Sequence, residues 1–143
     1  METTEFKGFN VRVYALCIEN NKVLCVKEPF AGKMVVKFPG GGLEFGEGTV
    51  ACLKREFKEE LNLHIETGDC FYIQEEFVKS LAKDQKQLLM LYFKARITDN
   101  ENLKITDDKI KASFWVDIHG ENPFTLSVDQ IVFKKLQTEY CTE

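Results

Sequence analysis

Three glutamates at helical spacing, placed just after a run of glycines, are the side chains of this sequence best suited to chemistry. Glu56, Glu59 and Glu60 lie three and four positions apart, so within a helix over residues 49–61 they share one side. Like charges at that spacing cost roughly 0.2–0.5 kcal/mol per pair on an exposed helix. A solvated face can carry them, since Lys54 and Lys58 are interleaved. The preceding loop favours another use. Phe38-Pro39-Gly40-Gly41-Gly42 and Gly46-Glu47-Gly48 supply backbone that glycine alone bends cheaply, and bare backbone lets carbonyls approach a cation closely. Carboxylates with a carbonyl form a hard oxygen set, suited to Mg²⁺ or Mn²⁺. Arg55 stands inside the acidic run. Its fork can hold Glu47 or Glu59 and fix a carboxylate in place, or it can form a plain surface pair with Glu59 four residues on.

Other phosphate and cation motifs fail. Gly41-x4-Gly46 is followed by Glu47-Gly48, where a Walker A loop needs Lys and Ser or Thr. The segment has no G-x-G-x-x-G, and Asp99–Leu103 lacks the glycine and spaced acids of an EF-hand.

The elements that must position these groups follow from periodicity. Val11, Val13, Ala15 and Cys17 alternate along residues 10–18, which predicts a strand, with a turn at Glu19–Lys22 and a returning strand at Val23–Lys27. Residues 28–36 read as loop, and 37–48 as glycine-rich loop. Val50, Leu53, Phe57 and Leu61 form an apolar stripe on a helix over 49–61, and Asn62 suits its left-handed end. Further strands are expected at 71–78, at 88–93 as a central strand covered on both faces, and at 113–116. Residues 79–86 and 98–111 read as loops. Ser127 and Gln130 form a capping box for a final helix, stapled by Leu126 and Ile131. Strands mixed with two helices suggest a sheet between helices, and the whole chain, 1–143, reads as a single domain.

Bulk properties narrow the classes. The net charge of −4 argues against a nucleic-acid polymer as partner, but not against a nucleotide, because a bound cation reverses the local field. No apolar run approaches the roughly 18 residues of a membrane span, and the acidic N-terminus, Met1 to Glu5, is no signal peptide. Cys17, Cys25, Cys52, Cys70 and Cys141 are odd in number and form no C-x-x-C pair, so they read as reduced thiols of a cytoplasmic protein. His64 and His119 read as structural or solvated. Phe38, Phe45 and Tyr92 are aromatics that could stack on a ligand ring, though such residues are more often core. A homodimer fits a domain this small, though no residue pattern marks one.

The stretch Gly41–Leu63 resembles the Nudix box, G-x5-E-x7-R-E-U-x-E-E-x-G-U, with U bulky and apolar. Gly41, Glu47 and Arg55-Glu56-Phe57-Lys58-Glu59-Glu60-Leu61-Asn62-Leu63 fill it, with Asn62 in place of its second glycine. The match spans 23 of 143 residues. The resemblance implies a MutT-like α/β/α sandwich with a mixed central sheet. It implies metal-dependent hydrolysis of a phosphoanhydride in a nucleoside triphosphate, or in a nucleoside diphosphate linked to another group. Glu56, Glu59, Glu60 and the Gly40 carbonyl would hold the metal. Glu56 or Glu59 would act as base, and Arg55 and Glu47 would orient the cluster. Many members place a further acid before a later tryptophan. Here Asp107 and Asp108 are the nearest acids before Trp115, with Asp108 the candidate. The downstream proline and tyrosine of two known subfamilies have no counterpart over Glu76–Leu81. A nucleotide sensor that kept the fold, or an isomerase of a diphosphate substrate, are the competing readings.

Overall fold

The computed structural model describes residues 5–140; the first four residues of the acidic N-terminus and Cys141 lie outside the described residues. The alternating apolar positions form strand β1 (Phe9–Glu19), as their spacing predicts. Asn20 and Asn21, at φ 52° and 61°, turn the chain tightly into β2 (Lys22–Phe30). β2 overruns its expected end, and β3 (Lys33–Lys37) occupies most of the rest of the supposed loop over 28–36. A second tight turn at Ala31-Gly32, φ 51° and 83°, explains this. Pro29 disguises the strand in the sequence. It is tolerated because β2 has only β3 beside it there, so no second partner needs the missing N–H. Gly40–Gly42, expected as open loop, form a short strand β4 antiparallel to Arg12–Tyr14.

Helix α1 (Thr49–Leu61) has the expected bounds, and Asn62 ends it in the left-handed region at φ 56°. Leu53, Phe57 and Leu61 are buried, but Val50 stays 45 % exposed. Cys52 is buried instead, its thiol resting on the Gly41 and Gly42 carbonyls. β5 (Ile65–Ile73) starts well before the expected Phe71, because Gly68 and two register shifts between Thr67 and Tyr72 spoil its alternation, and it ends at Ile73, five residues short of the expected Val78. β6 (Gln87–Ile97) covers the expected 88–93 and runs four residues beyond it, while β7 (Ala112–Asp117) and α2 (Ser127–Tyr140) lie where expected. β6 does lie between β1 and β5, but Leu89 is 38 % exposed, so its faces are not covered throughout. The capping box of α2 is not made: the Gln130 amide donates to the Phe124 carbonyl at 2.8 Å instead.

The sheet runs β3-β2-β1-β6-β5, with β4 joined to β1 and β7 to β2. Only β1 and β6 pair in parallel, so the sheet is mixed. Successive β1 side chains point to opposite faces. Tyr14 and Leu16 pack with Val132, Phe133 and Leu136 of α2, whereas Val13, Ala15 and Cys17 pack with Leu53, Phe57 and Leu61 of α1. The result is an α/β/α sandwich with a core beneath each helix. Among the described residues, no helix is long and apolar enough to cross a membrane.

Candidate active site

Arg55 is the hub of the acidic cluster. Nε and Nη2 grip the two oxygens of Glu47 at 3.0 and 2.7 Å. Nη1 donates to Glu56 at 2.8 Å and to Glu59 at 3.2 Å, and Nη2 also reaches the Gly42 carbonyl at 3.0 Å. One guanidinium therefore ties the glycine strand to three carboxylates of the helix and its approach. The pairing predicted with Glu47 or Glu59 is made with both. Hydrogen bonds from Arg55, then from the Glu44 backbone, hold the Glu47 carboxyl at about 2, so it stays ionised. Arg55 is itself driven further up by the same bonds.

The glycines are required by contact. A side chain on Gly41 would overlap the Glu56 carboxylate, and one on Gly40, at φ 147°, would strike the Val13 carbonyl and the Tyr14 backbone. Leu43 N donates to the Val11 carbonyl and Ala15 N to that of Pro39. By the alternation of an antiparallel ladder, the Gly40 and Gly42 carbonyls then point away from β1. Arg55 takes the one on Gly42.

Glu60 stands apart from Arg55. Burial, then the charge of Glu56, pushes its carboxyl up to about 8, and no cation lies within ion-pair distance among the described residues. Burial raises Glu56 as well, against the pull of Arg55. The loop after β6 closes the far end of α1. Lys104 and Thr106 donate backbone N–H groups to the Leu61 and Glu60 carbonyls, and the Thr106 hydroxyl bonds that of Glu59. The charge of Asp107, carried on this loop, adds to the rise of Glu60. Asp108 is exposed. Among the described residues, no three acidic, His or Cys side chains converge closely enough to hold an ion as they stand.

The aromatic candidates divide. Phe38 and Tyr92 are fully buried, packed edge to face in the core, so neither can stack on a ligand. Phe45 is fully exposed on the glycine loop. His64 pairs with Asp99 at 2.8 Å on the surface. Cys17, Cys25 and Cys52 are buried, and burial pushes Cys52 up to about 12, so no thiolate forms there.

Beside the cluster opens a cleft of about 310 Å³ whose charged floor the sequence did not reveal. β1 contributes Arg12 and Tyr14, β2 contributes Glu28 and Phe30, and β3 contributes Lys37. Lys37 is buried and ion-paired with Glu28 at 3.0 Å. The only trace in the sequence is polar residues at alternate positions of apolar strands, Asn10 and Arg12 among them.

The NUDIX domain family matches residues 8–135. Solved structures share the fold at low identity. A MutT NUDIX hydrolase from Burkholderia pseudomallei is 15 % identical, with a TM-score of 0.74 over 90 % of this chain and 98 % of that one. The E. coli ORF135 protein is 17 % identical, with a TM-score of 0.72 over the whole of both chains. An ADP-ribose pyrophosphatase from Streptococcus suis is 16 % identical, with a TM-score of 0.65 over 94 % of each. No curated protein sequence matches. The chain belongs to the NUDIX domain family and is a hydrolase of phosphorus-containing anhydrides.

Proposed function

We propose that the chain hydrolyses the pyrophosphate bond of a nucleoside triphosphate, or of a nucleoside diphosphate linked to another group, with Mg²⁺ or Mn²⁺ bound at Glu56, Glu59, Glu60 and the Gly40 carbonyl. One observation carries the reading: Arg55 gathers Glu47, Glu56 and Glu59 against the glycine strand, while Glu60 is left without a cation. That donor set fits a hard divalent ion, since it is all oxygen and carries uncompensated negative charge. Bound there, the ion would supply a positive centre for the diphosphate oxygens and make a bound water more acidic.

The chain's own groups do the rest. Arg55 and Glu47 fix Glu56 so that its second oxygen stays turned to Gly41. Glu59 is the more open of the two candidate bases, and its carboxylate takes the proton of the attacking water. The oxygen of that water adds to phosphorus, the bridging P–O bond breaks, and the departing phosphate keeps the electron pair. The cleft beside the cluster receives the remainder of the substrate.

Glu60→Gln tests this. An ion-held phosphoryl transfer loses several kcal/mol without a ligand, so turnover at saturating Mg²⁺ should fall about 10³-fold. Thermal stability should not fall, because a buried carboxylate without a partner is removed. Phosphate release over a nucleotide panel is the assay. Wild-type rates from Glu60→Gln would overturn the assignment. Nucleotide-induced stabilisation of the wild type without turnover would favour a sensor instead.

A further inference from the structure

The chain has three arginines. Arg55 is spent on the acidic cluster, and Arg96 pairs with Glu66 at 2.5 Å. Arg12 has no carboxylate within ion-pair distance among the described residues, although it lines the cleft and is partly buried. Its Nε donates to the Tyr14 hydroxyl at 2.6 Å, which fixes the plane of the guanidinium and leaves Nη1 and Nη2 without a hydrogen-bond acceptor among the described residues. Lys37 sits on the same ring: its ammonium lies 5.3 Å from the Tyr14 centroid, and the Arg12 guanidinium 5.6 Å. Glu28 takes one of the three ammonium protons and leaves two. Two cations thus meet one aromatic ring and line an open cleft, and only Lys37 of the two is paired with a carboxylate among the described residues.

A guanidinium stays charged, and holding its fork out of bulk water without a partner is costly. Such a fork matches a planar pair of oxyanion oxygens, as on phosphate. Its position ties that phosphate to the acidic cluster. Arg12 stands opposite Gly42 in the β1–β4 ladder, and its Nη1 lies 3.6 Å from where a Gly42 side-chain carbon would be. The carbonyl of that same glycine is held by Arg55.

We propose that Arg12, flanked by Lys37, grips a phosphate beyond the two answered by the metal site, and so selects nucleoside triphosphates over nucleoside diphosphate sugars. The substrate half of this claim rests on the hydrolase reading above. A diphosphate joined to a sugar has no third phosphoryl group to offer these cations, whereas a triphosphate does.

Two measurements test it. The first is calorimetric titration of the protein with inorganic triphosphate in EDTA, which needs neither metal nor turnover. Arg12→Ala should weaken binding at least tenfold. Arg12→Lys should recover only part, because an ammonium cannot fork, and Arg12→Gln keeps bulk and a donor for Tyr14 should the alanine variant fold poorly. The second is kcat/KM for GTP against ADP-ribose with Mg²⁺. In Arg12→Gln the GTP to ADP-ribose ratio should fall at least tenfold, carried by KM. Unchanged triphosphate affinity in Arg12→Gln, or equal losses on both substrates, would overturn the proposal. A wild type that turns over neither substrate, yet binds triphosphate through Arg12, would defeat the hydrolase reading and leave the phosphate grip standing.

Discussion

Two arginines stand at the glycine strand and live opposite lives. Arg55 spends every arm of its fork on Glu47, Glu56, Glu59 and the Gly42 carbonyl. Arg12, opposite the same Gly42, spends one nitrogen on a tyrosine hydroxyl. The first arrangement is closed: its partners compensate one another before any ligand arrives. The second is open: Arg12 has no carboxylate within ion-pair distance among the described residues, and its two terminal nitrogens face an incoming group. A site that must bind an anion beside its own acids needs both kinds, one to hold carboxylates apart and in place, the other to meet the substrate.

Of the variants that test this contrast, those that break the closed side should have the largest effect. Arg55→Ala leaves Glu47, Glu56 and Glu59 repelling one another with nothing between them. Orienting groups of this kind are worth up to about 100-fold in metal affinity or activity. Turnover should fall by about that factor, mainly in kcat, and the melting temperature should drop in EDTA. Added Mg²⁺ should raise the melting temperature of the variant more than that of the wild type, because the ion replaces the missing positive charge. Equal Mg²⁺ shifts in the two proteins would mean that Arg55 does not organise the cation site.

The same contrast explains what could be read from the sequence. Arg55 lies eight residues after Glu47, one before Glu56 and four before Glu59, so the closed side is nearly a local affair of loop and helix. Spacing alone put its members together. The open side joins β1, β2, β3 and the loop before β6, and nothing in the spacing of Arg12, Glu28 and Lys37 announces that they meet. The fold divides in the same way. α1 and β1 have clean periods and were legible to within a residue or so. β3 was hidden by Pro29 and a turn that opens on alanine, and β5 by its bulges and Gly68. Phe38 and Tyr92 were ambiguous because an aromatic on or beside a strand near a candidate site serves a core or a ligand equally well. Only the packing beneath α2 decides for the core.

Asp129 gives a sharper measure of the cleft side, with a smaller effect that falls on stability alone. It is 2 % exposed, and the Tyr92 hydroxyl donates to it at 2.5 Å. Burial pushes its carboxyl up to about 6, from 3.8, against the Tyr92 hydrogen bond and the weaker pull of Lys37 and Arg12. A raised acid favours the folded state in its neutral form. The stability it contributes is therefore fully present below about pH 3.8 and is lost as pH rises through about 6. The span is worth at most about 3 kcal/mol. Asp129→Asn keeps an acceptor for Tyr92 but cannot titrate. Denaturant unfolding of both proteins from pH 3.5 to 7.5 should show the wild type losing ground to the variant up to about pH 6, then running parallel. A difference constant across the range would place the Asp129 charge outside the folding balance.

The smallest effect concerns the turn that carries the cleft wall. Ala31 sits at φ 51° between Phe30 and Gly32, and Phe30 and Val35 of the same hairpin line the cleft. A left-handed backbone costs alanine roughly 1 kcal/mol, and glycine almost nothing. Glycine also loosens the unfolded chain, which returns part of the gain. Ala31→Gly should therefore stabilise the protein by about 0.5 kcal/mol and leave the Arg55 cluster untouched, with Mg²⁺-dependent kcat unchanged. If the variant instead melts lower, the hairpin does not hold this turn in solution. The cleft wall that meets Arg12 and Lys37 would then be shaped by the ligand rather than waiting for it.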